Sequence, residues 1–191
     1  MPLVLSGSTG IVSGNIADGT ITASDLATGA ARANFGAGAV LQVVNAEYTS
    51  VANAATGLLV DIFSANITPS STTSKIYVIA NVFGGINETN TNRSTYAALC
   101  GITRTLNGTR TVLLTCEPYT DLGTPITGDS MYLQHTLTKY DSPLTTDTVS
   151  YAVAIATRAT NTTDMRFSLN RTNGYNTDAR TSSITLMEIA T

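Results

Sequence analysis

From Ala37 onward, hydrophobic and polar residues alternate in short runs, which is the period of a β-strand. In one such run, Ile76 and Val78 would face one side of a sheet and Tyr77 the other. About nine runs of this kind follow one another, separated by stretches rich in Thr, Ser, Asn, Gly and Pro. No convincing helical pattern interrupts them. We therefore predict an all-β domain over residues 37–191, an antiparallel β-sandwich of the jelly-roll kind.

The strongest local signal is the dipeptide Asn107-Gly108, because a two-residue type I′ turn needs positive φ at both central positions. It predicts a β-hairpin formed by the strands on either side. The register of such a hairpin places Cys100 opposite Thr115 and turns Cys116 to the other face of the sheet. We therefore expect two free thiols rather than a disulfide.

The first 36 residues have a different pattern, in which isolated apolar side chains stand among Gly, Ser, Thr and Ala. They contain at most one short helix, with Ser24 as its N-cap and Asp25 in its first turn. Because so few apolar groups cannot form a core, we interpret residues 1–36 as an extended arm that packs against another chain, with a flexible linker as the alternative. The side chains expected to make that contact are Val4, Leu5, Ile11, Ile16, Ile21, Leu26 and Phe35.

The composition changes the picture of the surface. Charged residues make up 12% of the chain, about half of the roughly 25% that soluble domains carry. Uncharged Thr, Ser, Asn and Gly must therefore cover much of the exterior. A neutral surface lacks the desolvation cost of charges, so this composition favours a protein that packs among other subunits.

Charge and hydropathy also exclude some partners. The net charge is −3, Lys75 and Lys139 are the lysines of the chain, and the arginines are scattered, so no basic stripe is available to follow a phosphate backbone. No apolar run approaches the length of a membrane span, and the N-terminus lacks the features of a signal peptide. We expect neither nucleic-acid binding nor membrane insertion.

Residues capable of catalysis are few. His135 is the single histidine, and the apolar residues beside it in the alternation favour a core or interface position over a catalytic base. Two carboxylates at a suitable distance could cleave a glycan, but turn-forming Asp explains each candidate equally well. We therefore predict no catalytic residues and no enzyme activity. The carboxylates considered are Asp121, Asp129, Asp141 and Asp147.

Metal and cofactor sites are not predicted either. The Asn- and Asp-rich stretches 87–92 and 173–178 carry oxygen ligands, but neither has the ligand spacing of a twelve-residue calcium loop. Both are interpreted as loop tips. We expect no cofactor.

Several segments resemble a known group of proteins. The run from Asn15 to Phe35 resembles the N-terminal segment of tail-fibre-like and minor virion proteins of tailed bacteriophages. Three further segments are similar to recurrent pieces of the C-terminal domain of the same proteins. They are Ile67–Ser71 with the strand after it, Tyr140–Pro143, and Ser183–Ile189.

The resemblance implies a virion component made in the host cytoplasm, commonly a homotrimer, that contacts other virion proteins through its N-terminus and presents its β-domain outward. It implies a short fibre that touches the host surface, with a host glycan or protein as partner. At 191 residues the chain is short for such a fibre, so a capsid decoration (cement) protein or head fibre is the alternative, and a glycan-cleaving tailspike a distant one. The residues proposed for receptor contact are Tyr119, Tyr140, Asn173 and Tyr175.

Overall fold

The computed structural model describes residues 36–54, 57–88, 96–120, 130–159, 165–170 and 180–191. Within these ranges every regular element is a β-strand. The ten strands are β1 (Val40–Tyr48), β2 (Ala52–Asn53), β3 (Val60–Ile67), β4 (Lys75–Glu88), β5 (Tyr96–Leu106), β6 (Thr109–Thr120), β7 (Ser130–Asp141), β8 (Val149–Ala159), β9 (Met165–Leu169) and β10 (Ser182–Ile189).

The strands form two antiparallel sheets. In sheet A the neighbours run β1, β10, β4 and β7. The strand β10 pairs with the first half of β4, and the short strand β9 pairs with its second half, so β9 continues the line of β10. The short strand β2 pairs with β9 and continues the line of β1. In sheet B the order is β3, β8, β5 and β6. Each sheet therefore has four strand positions.

The path of the chain identifies the type of sandwich. It passes from β1 in sheet A to β3 in sheet B, back to β4, then to the β5–β6 hairpin in sheet B, to β7, to β8, and finally to β9 and β10. At the two sides of the sandwich, β1 contacts β3 and β6 contacts β7. Two four-stranded antiparallel sheets connected in this way form a jelly roll. The predicted all-β antiparallel sandwich is confirmed.

The core lies between the sheets and follows the alternation that the sequence predicts. Ile76 and Val78 of β4 point inward and are fully buried, as are Val153 and Ile155 of β8. At the β1–β3 side, the rings of Tyr48 and Phe63 stack with centroids 5.2 Å apart and close the gap between the sheets.

The predicted hairpin is confirmed, since Asn107 and Gly108 have φ angles of 49° and 77° and connect β5 to β6. The turn sets the register as far as the pair formed by Thr103 and Val112. Up to that point the prediction from turn geometry is correct.

Beyond that pair the predicted register is wrong. Leu113 forms a β-bulge, so Cys100 pairs directly with Cys116, and Thr115 pairs with Gly101. Gly101 permits the close approach of the two backbones in this register, because a Cβ atom added there would lie 2.6 Å from the carbonyl oxygen of Leu114. Both cysteines are free thiols, as expected, but they lie side by side rather than on opposite faces.

The predicted arm, including the short helix at Ser24, lies outside the described residues except for Gly36. The residues from Ala37 to Thr191 belong to one compact unit. Within the described ranges, no helix has the length and hydropathy needed to span a membrane.

Candidate functional site

The outer surface of sheet A is one candidate for binding. The register aligns one side chain from each of its four strands in a row that crosses the whole sheet. The outward-facing side chains of β1, β10, β4 and β7 are termed the open face, and the row lies toward one end of it. The row consists of Val43, Met187, Tyr77 and Tyr140.

This row is apolar and accessible. Val43 at one edge of the open face is 56% exposed, and Tyr140 at the other edge is 54% exposed. The rings of Tyr77 and Tyr140 lie 6.3 Å apart with an interplanar angle of 55°. Aromatic rings with one polar group are well suited to protein interfaces, because they bury a large area at a small entropy cost.

Neutral polar groups occupy many of the other positions of the open face, beside the apolar Ile79 and Phe83 of β4, and some of them bond to one another. Thr185 donates to Asn45 at 2.9 Å, and Thr136 donates to Asn81 at 2.8 Å. Polar groups that already bond to one another cost less free energy to remove from water than unpaired polar groups do. The open face can therefore be desolvated at low cost.

Charge is scarce on the open face. Among its outward-facing residues whose side chains are described, Glu47 and Lys75 are the charged ones. Lys75 also donates a hydrogen bond to Ser142 at 2.7 Å. A partner surface would thus meet little charge that has to be desolvated.

The outer surface of sheet B is different, because an ion pair between its two edge strands lies across it. Arg110 of β6 contacts Asp61 of β3 through Nη2–Oδ1 at 2.7 Å and Nε–Oδ2 at 3.0 Å. Thr103 of β5 donates to the same carboxylate at 2.8 Å, and Arg110 also donates to the backbone oxygen of Leu59. The Arg110–Asp61 clasp therefore bridges strands that β5 and β8 separate.

The strand β8 between these edges carries small outward residues, and the side chain of Leu59 lies 3.5 Å from the Cβ position of Gly101, which pairs with Ala154. On the outward side of β8, Ala154 and Ala156 are fully buried and Ala152 is 6% exposed, so this strand is buried on both faces. Burial raises the pKa of Asp61, but the hydrogen bonds from Arg110 and Thr103 outweigh it and hold the pKa below its ordinary value. The outward side of β8 is thus covered by other parts of the chain.

A depression of about 140 Å³ lies beside the clasp. Asp61 is the carboxylate that lines it, and both carboxylate oxygens already accept hydrogen bonds from Arg110 or Thr103. A carboxylate engaged in this way is poorly suited to act as a general base or nucleophile.

The other carboxylates considered for glycan cleavage are placed as follows. Asp141 is buried and accepts hydrogen bonds from Tyr151 at 2.7 Å and from Arg104 at 2.9 Å, which ties β7 to sheet B. Asp147 is exposed and contacts Asn107 at the hairpin turn. Asp121 and Asp129 lie outside the described residues. The structure does not bring two free carboxylates together among those that it describes.

A further buried carboxylate, Glu188, fixes the connection between β3 and β4. It accepts hydrogen bonds from the backbone and hydroxyl of Ser70, both at 2.6 Å, and from Gln42 at 2.5 Å. Burial raises the pKa of Glu188, but these donors outweigh it and lower the pKa below its ordinary value. Glu188 has a structural role at the end of the sandwich.

His135 lies where β7 contacts β6 and is half-buried. Its Nε2 atom is 3.1 Å from Sγ of Cys116. Among the described residues, no group of three or more His, Cys, Asp or Glu side chains is placed to hold a metal ion. Within the described ranges, Cys116 and His135 form a contact of two side chains.

Of the residues proposed for receptor contact, the structure describes the positions of Tyr119 and Tyr140, which lie toward opposite ends of the sandwich. Tyr140 is near the end of the sandwich where the chain enters it and where Gly38 donates to the carbonyl oxygen of Ala190 at 2.8 Å, which we term the proximal end. Tyr119 lies ten residues along β6 from its start beside the hairpin turn, and so about 30 Å away toward the opposite, distal end. Asn173 and Tyr175 lie outside the described residues.

The attachment residues proposed in the arm also lie outside the described part of the chain. They are Val4, Leu5, Ile11, Ile16, Ile21, Leu26 and Phe35.

No protein-family model matches the sequence, and no curated protein matches it. Among solved structures, the chain is similar to a chain of the infectious bursal disease virus Gt strain (16% identity, TM-score 0.37), covering 80% of this chain and 39% of that one. It is also similar to the VP2 subviral particle of infectious bursal disease virus (16% identity, TM-score 0.36), covering 78% and 38%. The chain thus spans less than two fifths of the length of these structures.

Proposed function

We propose that the protein is a non-enzymatic structural subunit of a bacteriophage virion, a short homotrimeric fibre that assembles through the open face. The observation that carries the proposal is the apolar row from Val43 to Tyr140 within a face of neutral, mutually bonded side chains. The resemblance of residues 15–35 and of three further segments to tail-fibre-like proteins supports the same role. Assembly in the host cytoplasm and location in the virion belong to the proposal.

Threefold symmetry assigns different partners to the two edges of the open face. In a closed trimer each subunit uses one patch toward one neighbour and another patch toward the other. With the open face turned toward the axis, the β1 edge at Val43 packs against the β7 edge at Tyr140 of the next subunit. The exposed row then leaves water without burying an unpaired charge.

The arm and the distal end have separate tasks in this proposal. Residues 1–36 attach the subunit to other virion proteins through their isolated apolar side chains. Host contact is assigned to the distal end, to which Tyr119 belongs. The connection that contains Asn173 and Tyr175 leaves sheet A after Leu169 and returns at Ser182, beside the middle of β4, and it is kept as a second candidate for host contact. Tyr140 is reassigned from host contact to the trimer interface.

A capsid decoration protein is the second candidate. Exposed apolar side chains away from the open face favour it, since a cement protein needs contacts spread over its flanks. They are Leu58 at 79% exposure, Val112 at 45% and Leu144 at 71%.

Sedimentation and incorporation test the proposal together. We expect the full chain and a chain shortened to residues 37–191 both to sediment at three times their chain mass, and the shortened chain to be missing from particles assembled without the full-length protein. A monomeric shortened chain would contradict trimerisation through the open face. Normal incorporation of that chain would contradict the attachment role of the arm and favour the decoration protein.

A further inference from the structure

The β-bulge at Leu113 brings the two cysteines of the chain together. Cys100 and Cys116 are direct partners across β5 and β6, on the inner side of sheet B. Directly opposed residues of antiparallel strands have Cα atoms about 4.5–5.5 Å apart, within the roughly 4.4–6.8 Å that a disulfide requires. The backbone therefore already has the spacing of a cross-strand disulfide.

The two thiols have different surroundings. Cys100 is fully buried in the core, and burial together with the neighbouring Cys116 raises its pKa to about 12. Cys116 is half-buried on the edge strand and has Nε2 of His135 at 3.1 Å. An imidazole nitrogen at this distance can accept the thiol proton, and the thiolate is the reactive form of cysteine.

We propose that Cys116 and Cys100 are a redox-active pair, in which Cys116 reacts first with a peroxide and Cys100 then closes a cross-strand disulfide. His135 accepts the proton of Cys116 in the first step. The virion would meet such oxidants after it leaves the reducing cytoplasm of the host.

The chemistry balances with hydrogen peroxide as oxidant. The Cys116 thiolate attacks one peroxide oxygen, the O–O bond breaks, and the leaving hydroxide takes the proton held by His135, which yields a sulfenic acid and water. The Cys100 sulfur then attacks the sulfenic sulfur, the S–O bond breaks, and the departing hydroxide leaves as water with the Cys100 proton. Two thiols are oxidised by two electrons, and one peroxide is reduced to two waters.

The disulfide would join β6, the edge strand of sheet B, covalently to β5 on the far side of the bulge from the turn. The Asn107-Gly108 turn holds the two strands together at one end of the hairpin, and the disulfide would hold them beyond the irregular pairing. Its expected effect is a rise in the thermal midpoint of the oxidised protein.

The test uses the full-length protein and hydrogen peroxide, with thiols counted after denaturation and the intact mass measured without reductant. We expect both thiols to be lost, a mass decrease of about 2 Da and a peptide that links residues 100 and 116. Two free thiols after excess peroxide, or links between separate chains, would overturn the proposal.

Variants assign the two roles. In Cys100→Ser, oxidation should stop at a sulfenic acid on Cys116 that dimedone captures, whereas in Cys116→Ser the remaining thiol should resist peroxide in the folded protein. The His135→Asn variant should slow oxidation of Cys116 about tenfold and still give the same disulfide. Equal rates of Cys116 oxidation in the wild type and in His135→Asn would refute the role of His135 as proton acceptor.

A matched control moves the thiol by one residue. In the Thr115→Cys, Cys116→Ser variant the second thiol lies on the outer side of β6, opposite Gly101 rather than Cys100. We expect no disulfide with Cys100 in this variant. Linkage there would mean that the hairpin follows the unbulged register, and the proposed geometry would be wrong.

Discussion

The two outer faces of the sandwich follow the same alternation of inward and outward residues, yet they differ in how far their side chains are exposed to solvent. On sheet B the outward alanines of β8 are buried within the chain, and the Arg110–Asp61 clasp joins the two edge strands across that face. On sheet A nothing within the described part of the chain covers the row from Val43 to Tyr140. A neutral sheet face can be removed from water either by contacts within its own chain or by contacts with a neighbouring subunit.

The first prediction compares a charge placed on each face. Val43→Glu puts a carboxylate into the proposed interface, and an unpaired charge buried between subunits costs about 3 kcal/mol or more, which weakens association at least a hundredfold. We expect monomers by sedimentation, with an unchanged circular dichroism spectrum. The control is Val112→Glu on β6, whose parent side chain is 45% exposed on the sheet B side, and it should remain trimeric.

A charge pair sharpens the same comparison. If the β1 edge meets the β7 edge of the next subunit, Val43→Lys and Tyr140→Glu should each weaken the trimer, and the double variant should regain much of it. Independent losses in the double variant would show that the two edges do not face each other.

The second prediction concerns stability on the closed side. Gly101→Ala places a Cβ atom 2.6 Å from the backbone oxygen of Leu114, which cannot move without disturbing the bulge, so we expect a loss of about 2–3 kcal/mol in the free energy of unfolding. Urea denaturation measures it. Gly36→Ala is the control, because no atom lies within 4 Å of the added Cβ, and it should change stability by less than about 0.5 kcal/mol. Equal effects would disprove the close approach.

The smallest expected effect is the pH dependence of the clasp. The pKa of Asp61 is held below its ordinary value near 3.8, so the carboxylate stabilises the fold above that value and the contribution is lost as the pH falls through the depressed pKa. Because the pair is partly exposed, we expect about 0.5–1 kcal/mol. Denaturation at pH 6 and pH 2 should show this difference between the wild type and Asp61→Asn at the higher pH and little of it at the lower. A gap that persists undiminished at pH 2 would contradict the assignment.

The sequence predicted the features that depend on neighbouring residues. Alternation located the strands, and Asn107-Gly108 defined the hairpin. The register beyond Thr103 was not predicted, because the bulge depends on the contact between Gly101 and the backbone of Leu114, although a glycine inside a strand was the available signal.

The division between an open and a closed face could not be predicted either. Tyr77 and Ile79 alternate with buried residues in the same way as Ala154 and Ala156 do, and only the pairing of the strands shows which face the clasp lies across. The one hint was that β4 is apolar on both sides, a pattern typical of strands whose two faces are both covered. The missed residues of the row, Val43 and Met187, have no local motif.

The place of β10 in sheet A has a consequence for the order of folding and assembly. This strand follows all the other described strands in the chain, yet it lies between β1 and β4, and its Glu188 meets Gln42 across 146 positions of sequence. Contacts so distant carry a high loop-closure entropy and form late in folding. Until β10 inserts, β1 and β4 expose unpaired edges and the row on sheet A has a gap. In the proposed assembly, the row from Val43 to Tyr140 is therefore complete only after β10 has taken its place between β1 and β4.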